Sequence, residues 1–189
     1  MISKELSVTL GFAVREAKRR RHEYVGIEHI LYAILHDGNG VEIIEGCGGN
    51  VEHLKLTIED FFSEKMEVIP ESDEYVLQQT IGFQRVIQRA VNHVRSAEKA
   101  EVAVSDILAS IFMEKDSHAA FFLNQEGITR LDVLNYISHE MHTDRPEDDS
   151  DATGFEKPEV EGEKKKKKSN PLEAYTVDMM ELAAADKLD

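Results

Sequence analysis

The chain has 189 residues and a formal net charge of -15, with a single cysteine and no tryptophan. This charge disfavours binding to nucleic acid or to an anionic membrane surface, and one cysteine excludes an internal disulfide. No apolar run is long enough to span a membrane and the charged start does not resemble a signal peptide, so we expect a soluble cytoplasmic protein.

Apolar residues recur with helical spacing through residues 1–142, and they predict an all-α fold. Leu6, Leu10 and Ala13, for example, would lie on one face of the first helix. Strand patterns are short, and glycines separate the helical segments. The predicted helices cover residues 4–21, 27–36, 41–47, 51–65, 81–97, 104–113, 117–125 and 129–142.

The helical pattern occurs twice, at an offset of 77 residues. The stretches YVGIEHILYAIL (24–35) and EVAVSDILASIF (101–112) place apolar residues at matching positions, and we align the two copies without a gap. The aligned pairs include Leu6 with Phe83, Ile44 with Phe121, and Leu54 with Leu131.

A repeat of about 50 residues buries too little apolar surface to be stable alone. We therefore predict one domain, residues 1–142, made of two four-helix repeats at about 1–65 and 80–142. The repeats would pack their shared apolar faces together about a pseudo-two-fold axis and leave their differing polar residues outside.

The composition changes beyond residue 142. Residues 143–170 combine an acidic block with the lysine run Lys164–Lys168 and few apolar residues, so we predict a disordered charged linker. Residues 171–189 are amphipathic again but too short to fold alone.

Residues that could support catalysis or metal binding are few. Cys47 has no partner cysteine and lies near acidic residues that disfavour a thiolate. His139 and His142 have a spacing that can hold zinc, and His29 with residues 21–23 could form a looser surface site, although surface histidines usually bind nothing. No phosphate-binding loop is present, so we expect no enzyme activity and no cofactor in this chain alone. We also expect no functional metal, since the histidine sites are weak.

Two basic clusters, residues 18–22 and Lys164–Lys168, leave an alternative open: a free-standing helical protein that binds nucleic acid. The simpler interpretation of residues 18–22 is favourable positive charge at the C-terminal end of the first helix. Acidic residues next to the lysines would neutralise the second cluster.

The segments EHILYAIL, FQRVIQRAV and RLDVLNYISH resemble the N-terminal domain of the ClpA family of AAA+ unfoldases, which feed the ClpP peptidase. The resemblance covers about residues 1–140, and residues 171–189 resemble the segment that precedes the first AAA+ module. It implies a double repeat that docks adaptors and unfolded or N-degron protein substrates. ATP, magnesium, hexamer assembly and ClpP binding would belong to AAA+ modules that this sequence lacks.

The resemblance also implies a partner, the small adaptor ClpS, which delivers N-degron substrates. The adaptor-binding residues of the family match residues of the same type in both repeats of this chain. We therefore expect one adaptor-binding face formed by Glu23, Glu28, Thr80, Arg85 and Arg130.

Overall fold

The computed structural model describes residues 1–143, which form eight α-helices and two short strands. The remainder of the predicted linker and the segment 171–189 lie outside the described residues. The all-α prediction is confirmed, and each predicted helix is found with ends that differ by at most three residues. The elements are α1 (Lys4–Arg19), β1 (Tyr24–Val25), α2 (Ile27–Ile34), α3 (Gly38–Gly46), α4 (Val51–Lys65), β2 (Gln78–Gln79), α5 (Ile81–Ser96), α6 (Val104–Ile111), α7 (His118–Gln125) and α8 (Arg130–Thr143).

The first helix of each repeat begins with the same side-chain cap. The Ser3 hydroxyl accepts a hydrogen bond from the Leu6 N–H at 3.1 Å, and the Thr80 hydroxyl accepts one from the Phe83 N–H at 3.1 Å. Such caps satisfy backbone donors that a helix leaves unpaired at its N-terminus. The two caps are 77 residues apart and mark equivalent positions in the repeats.

The extended segment at the start of each repeat pairs with an extended segment of the other repeat. β2, which opens the second repeat, pairs in parallel with β1 of the first repeat. At the equivalent place Ile2 of the first repeat forms a parallel bridge with Val102 of the second. The backbone bonds match too, since Thr80 donates to Val25 at 3.1 Å and Ser3 donates to Val102 at 3.0 Å. This reciprocal pairing is the pattern expected of two repeats related by a pseudo-two-fold axis.

The two repeats share one core, with α2 and α6 at its centre. Every residue of α2 except Glu28 is buried, and every residue of α6 except Ser105. Within the repeats α1 packs on α2 and α5 packs on α6, whereas α3 crosses to α6 and α8, and α7 crosses to α2 and α4. The apolar face of each repeat is therefore covered by the other, as predicted.

The ungapped alignment of the repeats is wrong beyond α2. Phe121 and Leu131, aligned with the buried Ile44 and Leu54, are 54% and 64% exposed. The starts of α3 and α7 are 80 residues apart and those of α4 and α8 are 79 apart, instead of 77. At an offset of 79, Leu54 corresponds to Val133, and both side chains are buried.

The shift originates in the loop between α6 and α7. This loop, residues 112–117, is three residues longer than the loop 35–37 between α2 and α3. Residues with positive φ before and after this loop show the same change of offset between the repeats. Arg21 and Glu98, 77 apart, both have φ of 54°, whereas Gly48 and Gly127, 79 apart, have φ of 83° and 78°.

Within residues 1–143, none of the helices has both the length and the apolar character needed to cross a membrane.

Candidate docking face

Three of the five predicted adaptor-binding residues line one pocket. Glu23, Glu28 and Thr80 surround a pocket of about 270 Å³, together with Tyr24, Gly26 and residues 65–67, which comprise the last residue of α4 and the two that follow it. The exchange of strands creates this arrangement, because the Gln78 N–H donates to the Glu23 carbonyl at 3.0 Å. Glu23 of the first repeat is thereby held beside Thr80 of the second.

Glu28 connects this pocket to the second repeat. Its Oε1 accepts a hydrogen bond from the His118 N–H at 3.1 Å, at the start of α7. A carboxylate at a helix N-terminus also interacts favourably with the helix dipole. Glu28 therefore fixes the N-terminus of α7 against the pocket.

Arg85 lies outside the pocket, one turn further along α5, and is held by a partner that the sequence did not indicate. Its guanidinium donates to Glu114 at 2.6 Å, and Arg89 forms an ion pair with the other oxygen of the same carboxylate at 2.9 Å. Burial opposes ionisation of Glu114, but the hydrogen bonds from Arg89 and Arg85 keep the pKa of its carboxyl below the usual value. The Glu114 side chain is only 10% exposed whereas that of Arg85 is 59% exposed, so Arg85 is anchored and still open to a partner.

Arg130, the first residue of α8, lines a second pocket of about 240 Å³ with Arg89, Met113 and Leu134. The structure thus brings Glu23, Glu28 and Thr80 together and places Arg85 and Arg130 elsewhere. Arg89 connects Arg85 with Arg130, because it shares the Glu114 carboxylate with Arg85 and lines the pocket of Arg130. The first group is reached through His118, directly after the loop 112–117, whose N–H donates to Glu28. That all five residues bind one adaptor stays a prediction.

The predicted surface histidine site is wrong, because His22 and His29 are buried. The Gly26 N–H donates to His29 Nδ1 at 3.0 Å, so the ring proton of His29 resides on Nε2, which lies 2.9 Å from His22 Nδ1. The His29 ring also stacks on Phe62, with centroids 4.6 Å apart. Burial lowers the pKa of His29 to about 3 and lowers that of His22, so both rings are neutral at physiological pH.

Metal and thiol chemistry gain no further support from the described residues. Within residues 1–143, no group of three or more His, Cys, Asp or Glu residues could hold a metal ion. The side chain of His142, which the sequence pairs with His139, lies outside the described residues. Burial raises the pKa of the Cys47 thiol, and the charge of Asp132 adds to this effect. A raised pKa leaves less of the nucleophilic thiolate at neutral pH.

The arginines of the basic cluster 18–22 are engaged within the chain. Arg19 and Arg20 both donate to the carboxylate of Glu16. Arg21 donates to backbone carbonyl groups of the segment that connects the repeats, including that of Ile69 at 2.7 Å. These contacts give the three guanidinium groups partners within the chain, although the Arg19 side chain is still 66% exposed. Lys164–Lys168 lie outside the described residues.

Comparison with known proteins identifies the family. Residues 1–126 match the family described as the Clp repeat (R) N-terminal domain. The chain belongs to this family. The chain is 33% identical over 183 residues to the ClpA homolog protein of Fuscovulum blasticum, an alignment that covers 94% of this chain and 23% of that protein. The chain therefore spans less than a quarter of the length of this relative.

Solved structures show the same fold. The Hsp104 N-terminal domain from Candida albicans superposes with a TM-score of 0.65 at 10% identity, over 76% of this chain and 93% of that one. A ClpV N-domain in complex with a VipB peptide superposes with a TM-score of 0.58 at 19% identity, over 72% of this chain and 84% of that one. The predicted resemblance to Clp N-terminal domains is confirmed.

Proposed function

We propose that this Clp N-domain docks a ClpS-type adaptor, and through it N-degron substrates, for a cytoplasmic AAA+ unfoldase of the ClpA type. Hydrolysis of ATP with magnesium, hexamer assembly and transfer of substrate to ClpP belong, in this proposal, to modules outside the 189 residues. The similarity to a ClpA homolog protein over nearly the whole chain supports this assignment.

The observation that carries the proposal is the pocket in which side chains of both repeats meet. Glu23 and Glu28 offer carboxylates as acceptors for a basic group. The Thr80 oxygen accepts the helix-capping bond from Phe83, which leaves the hydroxyl proton available for a partner. Three residues matched to the adaptor-binding set of the family thus converge, although they are up to 57 positions apart in the chain.

The pseudo-symmetry also explains why one adaptor would bind and not two. The positions equivalent to Glu23 and Glu28 are Ala100 and Ser105. The pocket related by the pseudo-two-fold axis would therefore lack both carboxylates, and a partner that needs them would distinguish the two sides.

Calorimetric titration of the 189-residue chain with a ClpS-type adaptor tests the proposal. We expect one adaptor per chain, with a dissociation constant in the micromolar range or below. Glu28→Gln keeps an acceptor for the His118 N–H but removes the charge, and we expect it to weaken binding roughly tenfold. Ser105→Gln changes the equivalent residue and should leave the affinity unaltered. Absence of heat with the unaltered chain at tens of micromolar would reject the proposal.

A further inference from the structure

The loop 112–117, hereafter the docking loop, is held by two of the predicted adaptor-binding residues, one at its middle and one directly after its last residue. Arg85, together with Arg89, binds Glu114 within the loop, and Glu28 accepts from the N–H of His118 directly after it. The docking loop is also the segment whose three additional residues break the equivalence of the two repeats. Within residues 1–143 this longer loop is therefore found in the second repeat alone, next to the residues that would make a single adaptor site.

Two large apolar side chains flank the charged residues of the docking loop. Met113 is 46% exposed and lines the second pocket with Arg130. Phe121, in the first turn of α7, is 54% exposed and lines a third pocket of about 320 Å³ with Lys115 and His118. Half-exposed apolar groups surrounded by charged ones are typical of the centre of a protein interface.

Charges of opposite sign lie on the two sides of the docking loop. The pocket on the Glu28 side has Glu23, Glu28 and Glu67 against one lysine, Lys65. The other side has Arg85 and a pocket lined by Arg89 and Arg130 against one carboxylate, that of Asp106, which is paired with Lys99. A partner that matches this face needs a basic group and an acidic group at a fixed separation, with an apolar side chain between them.

We propose that the docking loop is the apolar centre of the adaptor site and that Met113 and Phe121 anchor a folded partner with this order of charges. This inference rests on the proposed function and adds the residues that supply its apolar contacts. A folded partner is specified because a folded surface holds the three groups in place before binding. The ion pairs of Glu114 and the bond from His118 likewise preorganise the docking loop, which reduces the entropy lost on association.

The variants Met113→Ala and Phe121→Ala test the inference by calorimetric titration of the full 189-residue chain with the ClpS-type adaptor. We expect each to weaken binding roughly tenfold or more, as for truncation of an interface anchor. Val8→Ala is the matched control, because Val8 is an exposed apolar residue that occupies in the first repeat the position of Arg85 in the second. It should change the affinity less than twofold, and thermal unfolding would verify that all three variants are folded.

The outcomes separate the two proposals. Binding of the adaptor with unchanged affinity by both alanine variants would remove the docking loop from the interface and leave the proposed function intact. Failure of the unaltered chain to bind would overturn both. A permanently unfolded protein, such as a reduced and carboxymethylated one, should not displace the adaptor at tens of micromolar. Displacement by this probe would overturn the requirement for a folded partner.

Discussion

His29 and Asp106 make the same contact in the two repeats with different chemistry. Each accepts a backbone hydrogen bond from the residue three positions earlier: His29 from Gly26 at 3.0 Å, and Asp106 from Ala103 at 2.9 Å. The carboxylate of Asp106 also receives a hydrogen bond from Lys99 at 3.3 Å, whereas His29 is buried beside His22. The residue that makes this contact is therefore part of an ion pair in the second repeat, whereas in the first repeat it is part of a pair of neutral histidine rings.

The neutral histidine pair should make the fold sensitive to mild acid. The unfolded chain binds a proton at each histidine below about pH 6.5, whereas His29 in the folded chain stays neutral to a pKa of about 3. Protons therefore favour the unfolded chain, and the contribution of the pair, fully present above pH 6.5, is lost as the pH falls. Between pH 6.5 and 4.5 we expect His29 to decrease the free energy of unfolding by up to about 1.4 kcal/mol per pH unit, and His22, whose pKa is also lowered by burial, to add to this decrease.

Urea unfolding at several pH values measures this decrease, and His29→Asn provides the comparison. The asparagine oxygen can still accept from Gly26, but the side chain does not titrate. The variant will be less stable at every pH because it leaves space beside Phe62, so the slope is the quantity to compare. Equal slopes of the free energy of unfolding against pH for the two proteins would show that His29 is not the source of the decrease. Glu16, whose pKa is held at about 2 chiefly by its hydrogen bond from Arg19, adds its own loss only below its ordinary pKa of 4.5.

Thr80 has a structural role as a helix cap and a proposed role in adaptor binding. Ser3 is the equivalent helix cap in the first repeat, and a variant at Ser3 distinguishes the two roles. Thr80→Ala and Ser3→Ala should each reduce the free energy of unfolding by about 1 kcal/mol, because each removes a helix cap. Thr80→Ala alone should also weaken the adaptor, whereas Thr80→Ser should retain stability and binding. Denaturant unfolding and calorimetric titration on the same samples provide both values. Equal adaptor affinity for Thr80→Ala and Ser3→Ala would assign Thr80 to the fold only.

Two glycines in α3 should respond oppositely to the same substitution. A Cβ at Gly40 would lie 2.3 Å from the backbone oxygen of Ile34, whereas at Gly38 no atom lies within 4 Å. Gly40→Ala should therefore destabilise by about 1–3 kcal/mol, since backbone cannot move aside as a side-chain end can. Gly38→Ala should be neutral or stabilise by up to about 1 kcal/mol, because alanine restricts the unfolded chain. Similar melting temperatures for the two variants would contradict the close packing of α3 against the end of α2.

Arg21 should control the order of the segment that connects the repeats. It adopts a left-handed backbone conformation with φ of 54°, and its guanidinium donates to the carbonyl groups of Ile69, Pro70 and Asp73. Lysine has the charge but lacks the planar arrangement of donors that reaches several carbonyl groups together. Arg21→Lys should therefore increase the rate of limited proteolysis within residues 66–77 several-fold. An unchanged cleavage rate there would show that the segment is held by other contacts.

The helices could be predicted from sequence because each has a clear apolar period, and α4 matches its predicted bounds at both ends. The exchanged strands could not be predicted, since β1 and β2 are two residues long and pair between repeats. The ungapped alignment failed beyond α2 because the loop 112–117 is longer than its counterpart and α7 is one residue shorter than α3. Apolar residues of the two repeats still coincide at an offset of 77 there, but only by chance.

The site residues that match the family by residue type could be predicted from the sequence. Residues whose role depends on contacts between distant parts of the chain could not. Glu114 stands alone in a loop without a periodic pattern, so nothing in the sequence indicated that it would hold Arg85 and Arg89. His29 was misassigned to the surface because a polar residue in an apolar helix is usually exposed. Its burial depends on His22, seven residues earlier, which the fold places against it.

In our proposal, side chains of both repeats form one face for a folded adaptor, on one side of a pseudo-symmetric domain. Amide chemical-shift mapping of the isotope-labelled chain, titrated with unlabelled ClpS-type adaptor, tests it most directly. We expect the shifts to concentrate in residues 23–28, 80–85, 112–121 and around Arg130, and the equivalent residues 3–8 and 100–105 to remain unshifted. Shifts of equal size at both sets of positions, or confined to the second set, would contradict it.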